Sequence, residues 1–150
     1  MEAEVYPDPR VVDAVSKQFI PVKIHVKENK PAFARFNAQW TPTQIVLDPG
    51  GVERHRIEGY LPVDDFRAQL ELGLGKLHFQ RQDYGEAEKR FRSVCDGFPG
   101  TAASPEACYW AGVAAYKGSD DAKHLAATAR ALKEKYPDSE WTRKASVWSP

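Results

Sequence analysis

Strand-type patterning stops near Leu72, and nothing after it alternates as a half-buried strand must. A single sheet-centred domain spanning all 150 residues is therefore excluded, because any sheet has to be built from the first half alone. Within that half the signals alternate. Asp8-Pro9 places an N-cap before a proline at the first helical position, and Val11, Val12, Ala14, Val15 and Phe19 follow at helical spacing. Phe19–Val26 predicts a strand with Val22, Ile24 and Val26 on one face. The polar break Lys27–Lys30 and Pro31 open a second helix carrying Phe33 and Phe36 and reaching toward Trp40. Thr41–Asp48 reads as a short, nearly continuous apolar strand, Asp48-Pro49-Gly50-Gly51 as a turn, and Val52–Ile57 as its antiparallel return. Pro62 and Asp64-Asp65 then begin a helix with Phe66, Leu70 and Leu74 on one side.

From Leu72 onward the text is helical and nearly repeats itself. Gly75, Tyr84, Ala87, Phe91, Val94 and Pro99 mark one helix-turn-helix unit; Ala111-Gly112, Tyr116, Leu125, Ala129, Leu132 and Pro137 mark a looser copy. Gly75 and Gly112 are 37 residues apart, and Pro99 and Pro137 are 38 apart, a period that predicts stacked helical hairpins. The small residues Gly75, Ala87 and Gly112 are expected where paired helices touch, with Tyr84 and Phe91 filling the gaps.

Composition narrows the function classes. The 21 Lys+Arg balance 21 Asp+Glu, with 9 basic and 10 acidic residues in 1–70 and 12 and 11 in 71–150, so no charged tail is hidden in the average. That argues against a nucleic-acid or anionic-membrane partner, which demands clustered positive charge. No apolar run approaches the roughly 20 residues a membrane-spanning helix needs, and Met1-Glu2-Ala3-Glu4 does not open a secretory signal. Two cysteines thirteen residues apart cannot build a four-thiolate zinc site, and the four histidines His25, His55, His78 and His124 are scattered, so no metal is expected. No Gly-x-Ser-x-Gly, P-loop or dinucleotide fingerprint occurs, and no cofactor is expected. Asp64-Asp65 and Asp120-Asp121 precede helices, where acidic residues favour the positive end of the dipole; His78 and the tryptophans Trp110, Trp141 and Trp148 are read as packing residues.

Two resemblances follow. Leu74-Gly75, Tyr84, Ala87, Phe91 and Pro99 fall at the spacing of tetratricopeptide repeats, with a looser second copy over 105–137 that departs from the pattern at His124 and Leu125. The alternative is a helical tail that only packs against the first half, since two repeats are fewer than the roughly three usually needed for independent stability. The hairpin ends Phe98-Pro99 and Tyr136-Pro137-Asp138-Ser139 resemble those of bacterial envelope-associated repeat proteins. The first half resembles the thioredoxin-like fold, specifically the portion after its active-site motif: Met1 to Val12 is similar to the stretch following a Cys-x-x-Cys, Phe19–Val26 to the next strand, Thr41-Pro42-Thr43 to the cis-proline loop, Asp48-Pro49-Gly50-Gly51 to the final hairpin turn, and Gly59-Tyr60 to the glycine entering the last helix. The Cys-x-x-Cys itself is absent, as is the strand that precedes it. The expected architecture is α/β then all-α: a partial thioredoxin-like sheet over residues 1–72, N-terminally incomplete, and tetratricopeptide-like hairpins over 73–150. Without the central strand its two neighbours would have open edges. They would have to close up directly, accept a strand from a partner, or belong to a longer protein in which Met1 is internal, the alternative favoured here.

The resemblance implies a cis Thr41–Pro42 bond and a loop, Thr41, Pro42 and Thr43, whose backbone receives an extended peptide; the alternative is an ordinary trans proline opening a strand. With the second-half turn centred near Thr101-Ala102, Cys95 and Cys108 are equally far from it, which allows a disulfide across antiparallel helices; the alternative is two buried small apolar residues. With no cysteine pair where the fold uses one, the expected product is redox-inactive and serves protein or peptide contact through the Pro42 loop and the concave face of the repeats. The alternative is the C-terminal part of a thiol–disulfide oxidoreductase whose Cys-x-x-Cys lies upstream of Met1. Oligomerisation through an open sheet edge is a further expectation. The location is left open: the expectation is cytoplasmic as written, and envelope or periplasm if a signal peptide lies upstream.

Overall fold

The computed structural model describes residues 1–149. Its elements run α1 (Pro9–Gln18), α2 (Lys30–Arg35), β1 (Thr43–Leu47), β2 (Glu53–Glu58), α3 (Val63–Gln80), α4 (Tyr84–Gly97), α5 (Ala103–Ser119), α6 (Lys123–Lys135) and α7 (Glu140–Ala145), followed by a 3₁₀ turn over Ser146–Trp148. The chain is mostly helical, with a single two-stranded sheet among the described residues.

Local chemistry accounts for the boundaries. Asp8 caps α1 by accepting from Arg10 N, and Pro9 occupies the first turn, where no backbone donor is lost. Asn29 caps α2 in the same way through Ala32 N, with Pro31 behind it. The β1–β2 turn is held by Asp48, whose Oδ1 accepts from both Gly50 N and Val52 N at 2.9 Å. Gly51 supplies the positive φ of +79° that a side chain would resist. The Val52 N–H and then the Arg54 guanidinium hold the Asp48 carboxyl below the usual carboxylate range. The strands pair antiparallel, with Ile45 opposite Arg56 and Val46 opposite His55, and the register slips between Val46 and Leu47.

Three expectations need correction. Phe19–Val26 is not a strand: beyond Phe19, which closes α1, the segment enters no ladder, and Ile20, Val22 and Ile24 are exposed. A strand pattern is realised only where a neighbour supplies hydrogen-bond partners, and this segment has none in the fold. The partial sheet is accordingly one hairpin. The second helix ends at Arg35, because Asn37 takes φ +46° and the chain turns, so Trp40 lies outside it. Asp120-Asp121 does not simply open a helix: Asp120, at φ +58°, closes α5, while Asp121 accepts from Lys123 N at the start of α6.

Two cores meet on α3. Phe66 and Leu70 join Val5, Val11 and Ile57 in a small cluster under α1 and β2. Ala68 and Leu72 join Ala87, Phe91, Val94, Ala107, Ala111, Ala129 and Leu132 in the larger helical core. With buried residues on every side, α3 is an interior helix rather than an amphipathic surface one. It also runs through the expected division at residues 72 and 73. Gly73 lets the hairpin approach: a Cβ there would sit 3.1 Å from His55 Cβ and from Val46 Cγ2. Gly75 lies under the Phe91 ring, which a Cβ would meet at 2.5 Å, and a Cβ on Gly112 would overlap the Thr128 hydroxyl. Ala87 is fully buried, and Tyr84 packs edge-on against Phe79 at 5.3 Å. Glu71 ties three helices together, accepting from Gln18 Nε2 of α1 at 2.9 Å and from Arg90 Nη1 of α4 at 3.0 Å.

Candidate functional site

The loop between α2 and β1 is pinned at both ends and open in the middle. On the α2 side, Asn37 N and Ala38 N bond back to Ala34 O and Phe33 O. On the β1 side, Thr43 Oγ1 donates to Trp40 O at 2.7 Å and Gly59 N donates to Pro42 O at 2.8 Å. The Thr41–Pro42 peptide bond is cis. Between the two anchors, the N–H and C=O of Thr41 have no hydrogen-bond partner among the described residues, and Thr41 is exposed. Trp40 beside it is 68% exposed. The loop abuts the start of the chain, because the next residue after Thr43, Gln44, donates from Nε2 to the Tyr6 hydroxyl at 2.7 Å. Its other amide atom, Oε1, is buried without a partner among the described residues. The chemistry available here is recognition: an unpaired main-chain donor and acceptor next to a large aromatic surface can take an added extended segment.

The spacing of Phe33 and Phe36 carries a helix toward Trp40, and the exposure of that indole beside Thr41 is not visible from the spacing. A signal existed in Trp-Thr-Pro-Thr, because the residue before a proline avoids helix.

The cysteines lie elsewhere. Cys95 of α4 and Cys108 of α5 form a disulfide, with S–S 1.98 Å and Cα–Cα 4.9 Å, inside the helical core. No free cysteine occurs among the described residues. A shallow cleft of about 450 Å³ beside it is lined by Cys95, Asp96, Pro99, Lys135 and Tyr136. Trp110, Trp141 and Trp148 form an aromatic cluster with Tyr109, which stacks on Trp148 at 4.6 Å. His78 is not simply packed: its Nδ1 lies 3.1 Å from Asp83 Oδ2, just past the end of α3. Among the described residues no group of three His, Cys, Asp or Glu side chains could hold a metal ion, and no helix is long and apolar enough to cross a membrane.

A second polar joint was missed by sequence reasoning, which treated the histidines as scattered. His55 Nε2 lies 2.6 Å from Gln69 Oε1 and its Nδ1 lies 3.2 Å from Lys76 Nζ, while Lys76 pairs with Glu106 at 2.7 Å. The ammonium can only donate, so Nδ1 accepts and the proton sits on Nε2: the ring is neutral. Burial, then the Lys76 charge, pushes its pKa below the usual histidine value, against smaller opposing effects from Gln69, Glu106 and Glu53. Because the folded state refuses a proton that the unfolded chain takes up, this joint supports the fold fully above about pH 6.5 and loses its contribution as pH falls through the lowered native value. Urea midpoints measured on the acid side should therefore decline more steeply for the natural protein than for His55→Gln. Parallel declines would show that His55 is not the group responsible.

The joint also covers part of α3. Gln69, Gly73 and Lys76 face the hairpin, so the face of the helical half that they occupy is closed to any other partner by β2. What stays open next to it is a cleft of about 360 Å³ lined by Lys76, Phe79, Gln80, Glu106 and Trp110 on the helices and by Glu53 and Arg54 on β2.

Comparison with known proteins bears on the first half. No curated protein matches the chain, and no solved structure does. A family model described as a thioredoxin-like domain matches residues 1–73, the stretch that holds α1, α2, β1, β2 and the first part of α3. The N-terminal half of this protein therefore carries a thioredoxin-like domain.

Proposed function

We propose that this protein is a redox-inactive binding module, in which a thioredoxin-like half presents the Trp40–Thr41–Pro42–Thr43 loop to an extended peptide. The observation that carries the reading is the pairing of an exposed Trp40 with a Thr41 whose main-chain groups are unpaired. A peptide laid alongside Thr41 gains main-chain hydrogen bonds, and an apolar side chain on it gains the indole face. Redox inactivity is supported by the position of the cysteines: dithiol exchange needs an accessible thiolate beside a second sulfur, and both cysteines of this chain are buried in the α4–α5 disulfide, outside the thioredoxin-like half. Residues 73–150 are read as two tetratricopeptide-like hairpins, which the close approaches at Gly75, Ala87, Phe91 and Gly112 support. The cleft that β2 leaves open is one surface through which they would contribute to binding.

Titrating a dye-labelled unstructured apolar decapeptide with the protein and following the anisotropy of the label tests the loop. Trp40→Ala should weaken binding at least about tenfold, the scale of a truncated aromatic anchor, while Trp40→Phe should retain most of it. Equal affinity for all three proteins would remove the loop from the binding surface.

The second reading, the C-terminal part of a thiol–disulfide oxidoreductase, is favoured by the thioredoxin-like match itself. Reading the coding sequence upstream of Met1 separates the two. An in-frame strand-like segment ending in Cys-x-x-Cys supports the enzyme, and a nearby stop codon removes it.

A further inference from the structure

Residues Ile20-Pro21-Val22-Lys23-Ile24 follow α1 as an unpaired stretch. None of their main-chain N–H or C=O groups has a hydrogen-bond partner among the described residues, since the nearest backbone bonds are Phe19 N to Val15 O and Glu28 N to His25 O. Ile20 is 93% exposed, Val22 78% and Ile24 44%, three large β-branched side chains at alternate positions. Lys23, between them, is tied to its own chain by a 2.7 Å ion pair with Glu2. A stretch with this pattern is a strand lacking its neighbour.

We propose that the neighbour is the same segment of a second copy of this chain, paired antiparallel about a two-fold axis through Val22. The register argument comes from the sequence of the segment. Centred on Val22, the pairing sets Val22 opposite Val22 of the second copy and Ile20 opposite its Ile24, so every apolar residue meets an apolar residue on one face. With Val22 at a hydrogen-bonded position, the main-chain groups of Ile20, Val22 and Ile24 all point at the other strand and exchange about six hydrogen bonds. Pro21, which has no N–H to give, then falls at a non-bonded position opposite Lys23, where a proline is tolerated. Each Lys23 faces a proline rather than a charge, and its own Glu2 neutralises it.

The neighbouring register is worse on two counts. Centring on Lys23 would set two ammonium groups directly opposite each other. It would also require Val26 as a partner for Ile20, and Val26 lies in the turn closed by His25 O, which accepts from Glu28 N and Asn29 N. Proline also limits the assembly: with Pro21 disarming the far edge, a third strand cannot add on that side, so the contact closes at two copies. The contact is small beside the roughly 1,000 Å² of a permanent interface, so the dimer should be concentration dependent.

Sedimentation velocity from about 5 to about 500 µM should show reversible monomer–dimer exchange in the natural protein. Val22→Pro and Val22→Lys should both be monomeric throughout, at unchanged thermal stability, because the side chain is exposed. Cross-linking tests the register independently: the protein has no free cysteine, so one introduced thiol reports alone. Across a two-fold hydrogen-bonded pair the Cα atoms are about 5.5 Å apart, within disulfide reach. Val22→Cys should therefore dimerise covalently on mild oxidation, and Lys23→Cys, offset diagonally from its symmetry mate, should do so far more slowly. A natural protein that stays monomeric at every concentration overturns the proposal. So does a dimer that survives Val22→Pro and Val22→Lys, equal cross-linking at 22 and 23, or capture of an extended peptide by this segment without self-association.

Discussion

Phe91→Ala should destabilise the protein by about 3–5 kcal/mol, the usual cost of deleting a fully buried aromatic from a core that cannot collapse around the hole. Phe91 has no exposed surface, lies against Gly75 of α3 and sits 6.5 Å from the Trp110 ring of α5. It is therefore the side chain on which three helices register. Rigid helices packed at that distance cannot all move inward at once, so the cavity persists. Against a typical total of about 5–15 kcal/mol, this loss would bring the protein close to unfolding at physiological temperature. Urea denaturation at constant m-value is the measurement, with Phe91→Leu as the partial truncation costing less. A loss under about 1 kcal/mol for the alanine variant would mean that α3, α4 and α5 do not share this core.

Joint replacement Cys95→Ala/Cys108→Ala should cost about 3 kcal/mol, from the chain entropy that a cross-link closing a loop of this size removes from the unfolded state. The two cysteines are separated by 13 residues, and the loop between them is the α4–α5 connection. Alanine fills each site with a small apolar group, so little packing is lost besides the bond. The thermal midpoint of the natural protein should fall on treatment with a thiol reductant, and that of the double variant should not respond. Equal midpoints with and without reductant in the natural protein would mean that the bond is absent or contributes nothing.

The helical character of the second half was legible because its constraints are local. Gly75, Ala87 and Gly112 mark helix contacts by size alone: a residue without a side chain, or with a methyl, appears where two backbones must approach, and Phe91 fills the space that Gly75 leaves. The Asp48-Pro49-Gly50-Gly51 turn was legible for a similar reason, since an Asp side chain capping two N–H groups and a glycine at positive φ are recorded in four consecutive residues. Phe19–Val26 misled because its pattern is that of a strand while its partner is not in the chain's fold. Strand formation depends on who is next to the segment, and the sequence of the segment does not carry that information. Trp40 misled by a coincidence of spacing that Asn37, with its positive φ, interrupts. Gln44 and His55 each lie in a strand whose neighbours gave no hint of a polar contact, since Tyr6, Gln69 and Lys76 are 38, 14 and 21 residues away in the chain.

By itself the amino-acid sequence determined that strands belong only to the first half, that the second half is helical, and that both of its cysteines lie in the helical half. These are statements about periodicity and residue type, which act over a few positions and survive any tertiary arrangement. Only the tertiary structure decided that Cys95 meets Cys108, that the hairpin settles on Gly73 and closes one face of α3, and that residues 20–24 are left without a partner. Each of those outcomes depends on which surfaces meet across long stretches of chain, and a main-chain N–H or a buried histidine acquires its energy only from the group that arrives beside it.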